Sequence, residues 1–311
     1  MLAIITINYN LSLETITCIE SLLNSDYTNY EIVLIDNGSS KIDYQILFDR
    51  FHTENKIKIV RTEKNLGYVG GVNLGLVEAS KNNPDHYMVM NNDTIIERSA
   101  IKYLIEAAER HGNKAIITGK VYYYDQPDVM QHTGVIFKDK RYKTTYYPGQ
   151  NEKDIGQCDL EVERDSLDDV FWIIPKQIYE DVGPYCNYFY LYAEQGDYCQ
   201  MVLRKGYKLI YTPKAKIWHK VSMTVGAKNK FSPVYFYIGQ GQFLFQYRNL
   251  RLKYFLISQI RNYIKLFYKS LFREKVERQC SRAILRGYLW GLRWLISKQP
   301  NEGYNPYIKK I

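Results

Sequence analysis

Three apolar runs in the first part of the chain each close on a cluster of Asn and Asp, and this recurrence leaves few folds open. Residues 2–8 end in Asn8-Tyr9-Asn10. Residues 31–36 run into Asp36-Asn37-Gly38-Ser39-Ser40, and residues 86–90 into Asn91-Asn92-Asp93. The second run is almost wholly β-branched or apolar, the composition of a parallel strand buried on both faces. Between the runs the period changes. Leu13, Ile16, Ile19, Leu22 and Leu23 form a helical stripe within 11–23. A third strand is expected at 57–60, a helix opened by glycines at 69–79, a helix at 97–110 and a strand at 115–122. Strand, helix, strand, helix predicts a doubly wound α/β sheet. In such a sheet ligands sit beyond the carboxyl ends of the strands, and the three polar clusters would share that edge.

The middle of the chain reads as mixed structure. A hairpin is expected near 130–147, an acidic loop from 154 to 169, a helix at 194–205 and a strand at 207–212. From about residue 231 the chain reads as helical and basic. Residues 248–298 hold thirteen Lys or Arg against two acids, a net +11 where the whole chain carries +9. The basicity therefore belongs to a tail. Residues 254–272 mix Phe, Leu, Ile and Tyr with Arg261, Lys265 and Lys269, which suits a helix lying on anionic lipid. A solvated basic face or a homodimer contact is the other reading. With no recognised nucleic-acid motif, nucleic acid is not an expected partner. The five cysteines, Cys18, Cys158, Cys186, Cys199 and Cys280, are odd in number and form no CxxC. That speaks against a disulfide framework or a zinc knuckle and fits a reducing compartment. The start of the chain reads as a first strand rather than an export signal. No apolar run reaches the length of a membrane span. Tyrosine is abundant, at 30 residues, either as platforms for sugars or as compositional drift.

Four stretches, in this order, resemble the inverting family-2 glycosyltransferases, in particular bacterial rhamnosyltransferase-like members. They are Asn8-Tyr9-Asn10 with Asp36-Asn37-Gly38-Ser39; Asn65-Leu66-Gly67-Tyr68-Val69-Gly70-Gly71-Val72-Asn73-Leu74-Gly75; Met90-Asn91-Asn92-Asp93-Thr94; and Tyr190-Leu191-Tyr192-Ala193-Glu194-Gln195-Gly196-Asp197, continuing to Trp218-His219-Lys220-Val221-Ser222. The resemblance runs from Ile4 to about Asn249, with a looser echo in 282–291. It implies a GT-A-type doubly wound mixed sheet flanked by helices, with a C-terminal basic helical tail. Residues 1–230 would form the transferase domain, with 1–93 the nucleotide-sugar half and 94–230 the acceptor half, and 231–311 a helical membrane- or partner-associating region.

The resemblance also assigns roles. Thr6, Asn8, Tyr9, Asp36, Asn65, Gly70, Gly71, Asn91 and Asn92 would lie along the nucleotide-sugar. Asp36 matches an Asp that contacts the nucleoside, and this role is favoured over the local alternative of an Asx-turn opening the next helix. Glycines at the helix start leave room for close backbone approach. Asn91-Asn92-Asp93 looks like the family's Asp-x-Asp motif with its first acid replaced, so Asp93 would bind Mn2+ or Mg2+ against the pyrophosphate. His219 would complete that shell or be structural. The family usually writes two acids where this chain has Glu194-Gln195, and the second is the usual base. Gln195 accepts no proton at neutral pH, so Glu194 is expected as base. Asp197 is the second catalytic candidate, binding acceptor or positioning the helix. Trp172 and Gln195 are expected on the acceptor side, Trp172 stacking on a sugar or filling core.

The implied protein moves L-rhamnose or a hexose from dTDP-rhamnose or a UDP-hexose to a cell-surface glycan or lipid-linked oligosaccharide. It would be cytoplasmic, peripheral on the inner face of the bacterial cell membrane. Two alternatives remain at this stage. One is a catalytically silent nucleotide-sugar- or glycan-binding subunit of an assembly complex. The other is a membrane- or polyanion-binding scaffold.

Overall fold

The structure is a computed structural model, and it describes residues 1–220 and 232–308. The chain begins β1 (Leu2–Asn8), α1 (Ser12–Leu23), β2 (Tyr30–Asp36), α2 (Lys41–Phe51), β3 (Ile57–Arg61), α3 (Gly67–Ser80), β4 (His86–Asn91), β5 (Thr94–Ile96), α4 (Ala100–Arg110) and β6 (Ala115–Tyr123). It continues β7 (Gln126–His132), β8 (Ile136–Asp139), β9 (Thr144–Tyr146), β10 (Val162–Glu163), β11 (Phe171–Pro175), α5 (Lys176–Val182), α6 (Glu194–Arg204) and β12 (Lys208–His219). It closes with α7 (Ser232–Asn249), α8 (Leu252–Phe272) and α9 (Lys275–Ser297).

The main sheet follows the order β10-β12-β6-β11-β4-β1-β2-β3, with β5 added to β12 and β7 to β6. β1, β2, β3 and β4 are mutually parallel neighbours, and β11 enters antiparallel between β4 and β6. The central strands are apolar on both faces because each face meets its own core. Leu2, Ile4, Ile32, Leu34, Met88 and Met90 enter one apolar cluster with α1 and α4, while Ala3, Ile5, Val33, Ile35, Tyr87 and Val89 enter the other with α3. Each fully buried branched side chain contributes about 1.5–3 kcal/mol. α3 lies close on β1, since a Cβ at Gly75 would stand 2.3 Å from Ile5 Cγ2.

The second cluster continues past the sheet. Tyr198, Cys199 and Val202 of α6 join it, followed by Phe243 and Leu244 of α7, Phe255 and Leu266 of α8, and Tyr288 and Trp294 of α9. The basic helical region thus shares the core of the α/β domain. Several expectations take a different shape. The hairpin expected at 130–147 is shorter, β8 with β9, and its first residues pair instead with β6 as part of β7. The strand at 207–212 and the run at 216–219 are one strand, β12, with a register break between Tyr211 and Lys216. Among the described residues no helix is long and apolar enough to cross a membrane.

Candidate functional site

The ends of β1 and β2 form the first part of the site. Asn8 is fully buried. Its Nδ2 lies 3.1 Å from Asp36 Oδ1, 3.0 Å from Ser39 Oγ and 2.7 Å from Asp43 Oδ2, and its Oδ1 accepts from Leu11 N and Thr15 Oγ1. Asn92, also buried, donates to Thr15 Oγ1 at 2.7 Å. Both residues expected along the nucleotide-sugar thus have protein partners in the structure. Their amides are engaged in a hub that locks α1 and the loop after β2 to the sheet edge. Thr6 is likewise sealed within the sheet, its Oγ1 without a hydrogen-bond partner among the described residues. Asp36 ends β2 with its carboxylate buried, facing Asn8 and, at 3.4 Å, Arg61 Nε. Arg61, which sequence reasoning did not pick out, also covers the Tyr44 ring at 4.2 Å. Tyr9 is half-buried on the same edge.

Asn37 ties this edge to the glycine-rich segment. Its Oδ1 accepts from Leu66 N, and its Nδ2 donates to Gly67 O at 2.9 Å and to Asn65 Oδ1 at 3.2 Å. Asn65 Oδ1 in turn caps Gly67 N at 2.8 Å. Gly67 adopts φ +76, and a Cβ there would meet Tyr190 at 2.5 Å. The glycines expected to admit a ligand serve packing instead. A Cβ at Gly71 would stand 3.2 Å from Ile7, and one at Gly70 would meet Leu66 at 2.6 Å.

The second part gathers β4, β12 and β7. Asp93 Oδ1 lies 3.1 Å from His219 Nε2, with Asn91 Nδ2 at 3.4 Å from the same nitrogen. Asp93 and His219 are both buried. The other ring nitrogen, Nδ1, lies 2.8 Å from Gln131 Oε1. A donor Nδ1–H on that amide oxygen turns the Nε2 lone pair toward Asp93, as in metal sites where an outer partner fixes the ring. Lys220 N donates to Asp93 O at 2.9 Å. Val221 and Ser222 of the expected motif lie outside the described residues. A carboxylate and an imidazole nitrogen so placed suit a divalent cation whose remaining positions the ligand's oxygens fill. Among the described residues, no group of three or more His, Cys, Asp or Glu is arranged to hold a metal unaided.

The third part is an acid cluster that the sequence only half revealed. Glu194 opens α6 directly after Tyr192 and Ala193, two successive non-glycine residues at φ 71 and 68. Such residues cost about 1–3 kcal/mol each and persist where packing imposes them. Glu194 is buried, and its Oε2 has no hydrogen-bond partner among the described residues. Burial, and then the Asp169 and Asp168 charges, push its carboxyl well above the ordinary range. Asp169 is pushed up to about 7 by burial and by Asp168, although the hydroxyls of Tyr68 and Tyr185, the latter at 3.1 Å, oppose the rise. Burial raises the Asp168 carboxyl too, but His132, with Nδ1 at 3.1 Å, and the Gln195 amide overcome it and hold it below the usual range. Gln195 thus stands beside three carboxylates. A fourth acid here would add like charge to a buried cluster, and the neutral amide donates to Asp168 instead. Asp168, Asp169 and His132 escaped sequence reasoning because no motif marks them.

For Trp172 and Asp197 the structure shows the contacts of the second reading left open for each, core for the one and helix positioning for the other. Trp172 is fully buried among Tyr185 and Tyr198, at ring separations of 6.2 and 6.0 Å, so its face is closed to a sugar. Asp197 is engaged with α7. Its carboxylate accepts from Arg248 Nε at 2.9 and 3.0 Å and from Asn249 Nδ2 at 2.6 Å, clamping α6 to α7.

A family model described as glycosyl transferase family 2 matches residues 3–171, more than half of the chain. The poly-beta-1,6-N-acetyl-D-glucosamine synthase of Staphylococcus epidermidis is 25% identical over 218 residues, which are 70% of this chain and 49% of that protein. Glycosyltransferase GlyG of Streptococcus pneumoniae serotype 4 is 23% identical over 128 residues, 41% of each. The chain spans about half the length of these curated relatives. Among solved structures, GalNAc-T7 with UDP, GalNAc and Mn2+ aligns with a TM-score of 0.63 at 13% identity, over 96% of this chain and 57% of that one. TarS of S. aureus aligns at 0.53 and 14% identity, over 94% of this chain and 49% of that one. At such identities the structural likeness speaks for the fold alone.

Proposed function

The chain belongs to glycosyl transferase family 2, and from that premise we propose that it is an inverting glycosyltransferase acting on a nucleoside-diphosphate sugar. The observation that carries this reading is a buried Asp93–His219 pair together with a buried carboxyl, Glu194, whose proton affinity burial and the Asp169 and Asp168 charges raise; Asp168 feels the charge of His219 as well. An acceptor hydroxyl attacks the anomeric carbon in line, forming the new C–O bond as the bond to the diphosphate oxygen breaks. Glu194 takes the hydroxyl proton, and its raised proton affinity makes it a better acceptor once ionised. Burial sets most of that affinity and the Asp169 and Asp168 charges add to it, and Gln195 faces the acceptor beside them. Asn37, Asn65 and Asp36 hold the edge where the nucleoside lies. Asp93 and His219 would hold Mn2+ or Mg2+, which offsets charge on the departing diphosphate.

The finer assignment is a dTDP-L-rhamnose or UDP-hexose donor and a hydroxyl of a cell-surface glycan or lipid-linked oligosaccharide as acceptor. The name of the staphylococcal synthase supports the polysaccharide setting, and the fold neighbour GalNAc-T7, solved with UDP, GalNAc and Mn2+, is compatible with a UDP donor and Mn2+. The working position in this reading is the cytoplasmic face of the bacterial membrane. Gln195 favours a second reading, a silent subunit that binds donor without turnover. The test is a thermal-shift panel of nucleotides and nucleotide-sugars with Mn2+, Mg2+ or EDTA, followed by donor-consumption assays. The proposal expects a shift of the unfolding midpoint with one nucleoside diphosphate, lost in EDTA, and metal-dependent turnover lost in Asp93→Ala. Binding without turnover or donor hydrolysis would establish the second reading, and full activity of Asp93→Ala would overturn the first.

A further inference from the structure

Helix α8 is built inside out for a helix in water. A surface helix normally turns its apolar stripe inward and its polar face outward. Here the inward side carries Ser258, Gln259, Asn262 and Ser270, along with Phe255 and Leu266. Gln259 Nε2 donates to Gln246 Oε1 at 2.8 Å and Asn262 Nδ2 to Tyr288 Oη at 2.9 Å, while Phe255 packs edge-on against Phe243 at 5.6 Å. These contacts with α7 and α9 fix which face looks out. That face presents Leu252, Leu256, Ile260, Ile264, Phe267 and Leu271, spaced three or four apart and 71, 51, 61, 66, 60 and 43% exposed. Tyr268 and Phe272 widen the stripe. It runs for roughly 29 Å at 1.5 Å per residue.

We propose that this outward face of α8 docks the protein on an anionic lipid bilayer, lying flat in its interface. Charge decides between occupants. α8 contains no acidic residue, and exposed Lys253, Arg261 and Lys265 accompany the stripe, with Arg251 and Arg273 at its ends. Pairing with a second copy would press two strongly basic surfaces together, whereas anionic headgroups complement them. The helix is also not apolar enough to cross a membrane, so it rests on the bilayer instead. The surface deepens the membrane-face position proposed above, yet it is read without donor or turnover, so either idea can fail alone.

The test is co-sedimentation of the full chain with vesicles of phosphatidylglycerol and phosphatidylcholine, or of phosphatidylcholine alone. Two double variants accompany it, Ile260→Ser with Ile264→Ser, and Lys253→Glu with Lys265→Glu. All four residues are exposed, so unchanged unfolding midpoints verify the fold. Wild type should pellet with the anionic vesicles and much less with the neutral ones, and each double variant should lower partitioning about tenfold or more. Wild type remaining in the supernatant, or apolar-face variants that bind as well as wild type, overturns the proposal. So does a wild-type dimer, seen by light scattering without lipid, that Ile260→Ser with Ile264→Ser makes monomeric.

Discussion

Replacing Asp197 by Asn separates the clamp from chemistry. In the native fold this carboxylate, 1% exposed, receives Arg248 and Asn249 of α7. Asn keeps the shape and one acceptor but removes the charge that offsets Arg248. Breaking a buried pair by removing one partner costs roughly 3–5 kcal/mol. Arg248, with its side chain 22% exposed, can turn partly to water, which places the loss near the lower end, about 3 kcal/mol. At about 2 °C per kcal/mol for a chain of this size, the unfolding midpoint should fall by about 6 °C. Adding Arg248→Met removes the stranded charge, and the double variant should recover about 1–2 kcal/mol of the loss. Thermal unfolding reads stability, and turnover at 25 °C, well below the midpoint, reads chemistry. Turnover of Asp197→Asn should stay within about threefold of wild type, an effect far below the ~100-fold minimum of a lost acid or base. An unchanged midpoint with turnover lowered ~1000-fold would refute the clamp and return Asp197 to the reaction.

Glu194→Gln should lower turnover at least ~100-fold without destabilising the fold. The pH dependence gives a separate reading of the same cluster. Glu194 and Asp169 bind protons more tightly folded than unfolded, so their contribution to stability is present at low pH and lost as pH rises. Asp169→Asn should therefore gain on wild type in unfolding midpoint between about pH 4 and about pH 7, the window set by its shift from 3.8 to about 7; a difference flat with pH would sink this account. Gln131→Leu leaves Asp93 and His219 in place but frees His219 Nδ1, so it should weaken Mn2+ binding ~10- to 100-fold by calorimetry in the presence of nucleotide. Unchanged affinity would show that Gln131 does not orient the ring.

The parallel strands were readable because β1, β2 and β4 are apolar through their middles on both faces, each face meeting a different core, and because their polar closures stand out against those runs. The Asp93 and Glu194 positions were readable through motif order. What the sequence hid was long-range placement. Asp168 and Asp169 looked like the end of a solvated acidic loop, and only the antiparallel insertion of β11 brings them beside Glu194. Gln131 and His132 were absorbed into a hairpin that does not form there, because β7 pairs with β6 instead. The short helices α2 and α5 were missed outright. Residues 41–51 bury only Leu47 and Phe51, too few to make a periodic stripe. Trp172 and Asp197 were ambiguous by nature, since an aromatic or an acid in a motif has the same letters whether it faces ligand or core.

The two neighbouring residues of β7 reach opposite ways, Gln131 to His219 and His132 to Asp168. Successive side chains of a strand point to opposite faces, so one short segment spans the proposed cation end and the proposed proton end of the site. β7 meets β6 through register irregularities and, on its other edge, exchanges backbone hydrogen bonds with residues 151–154. Reciprocity then applies across it. If occupancy at the His219 end favours one tilt of β7, the state of Asp168 must favour or oppose that occupancy by the same factor. Loading one substrate and readying the site for the other would then be a single event seen from two ends of one strand.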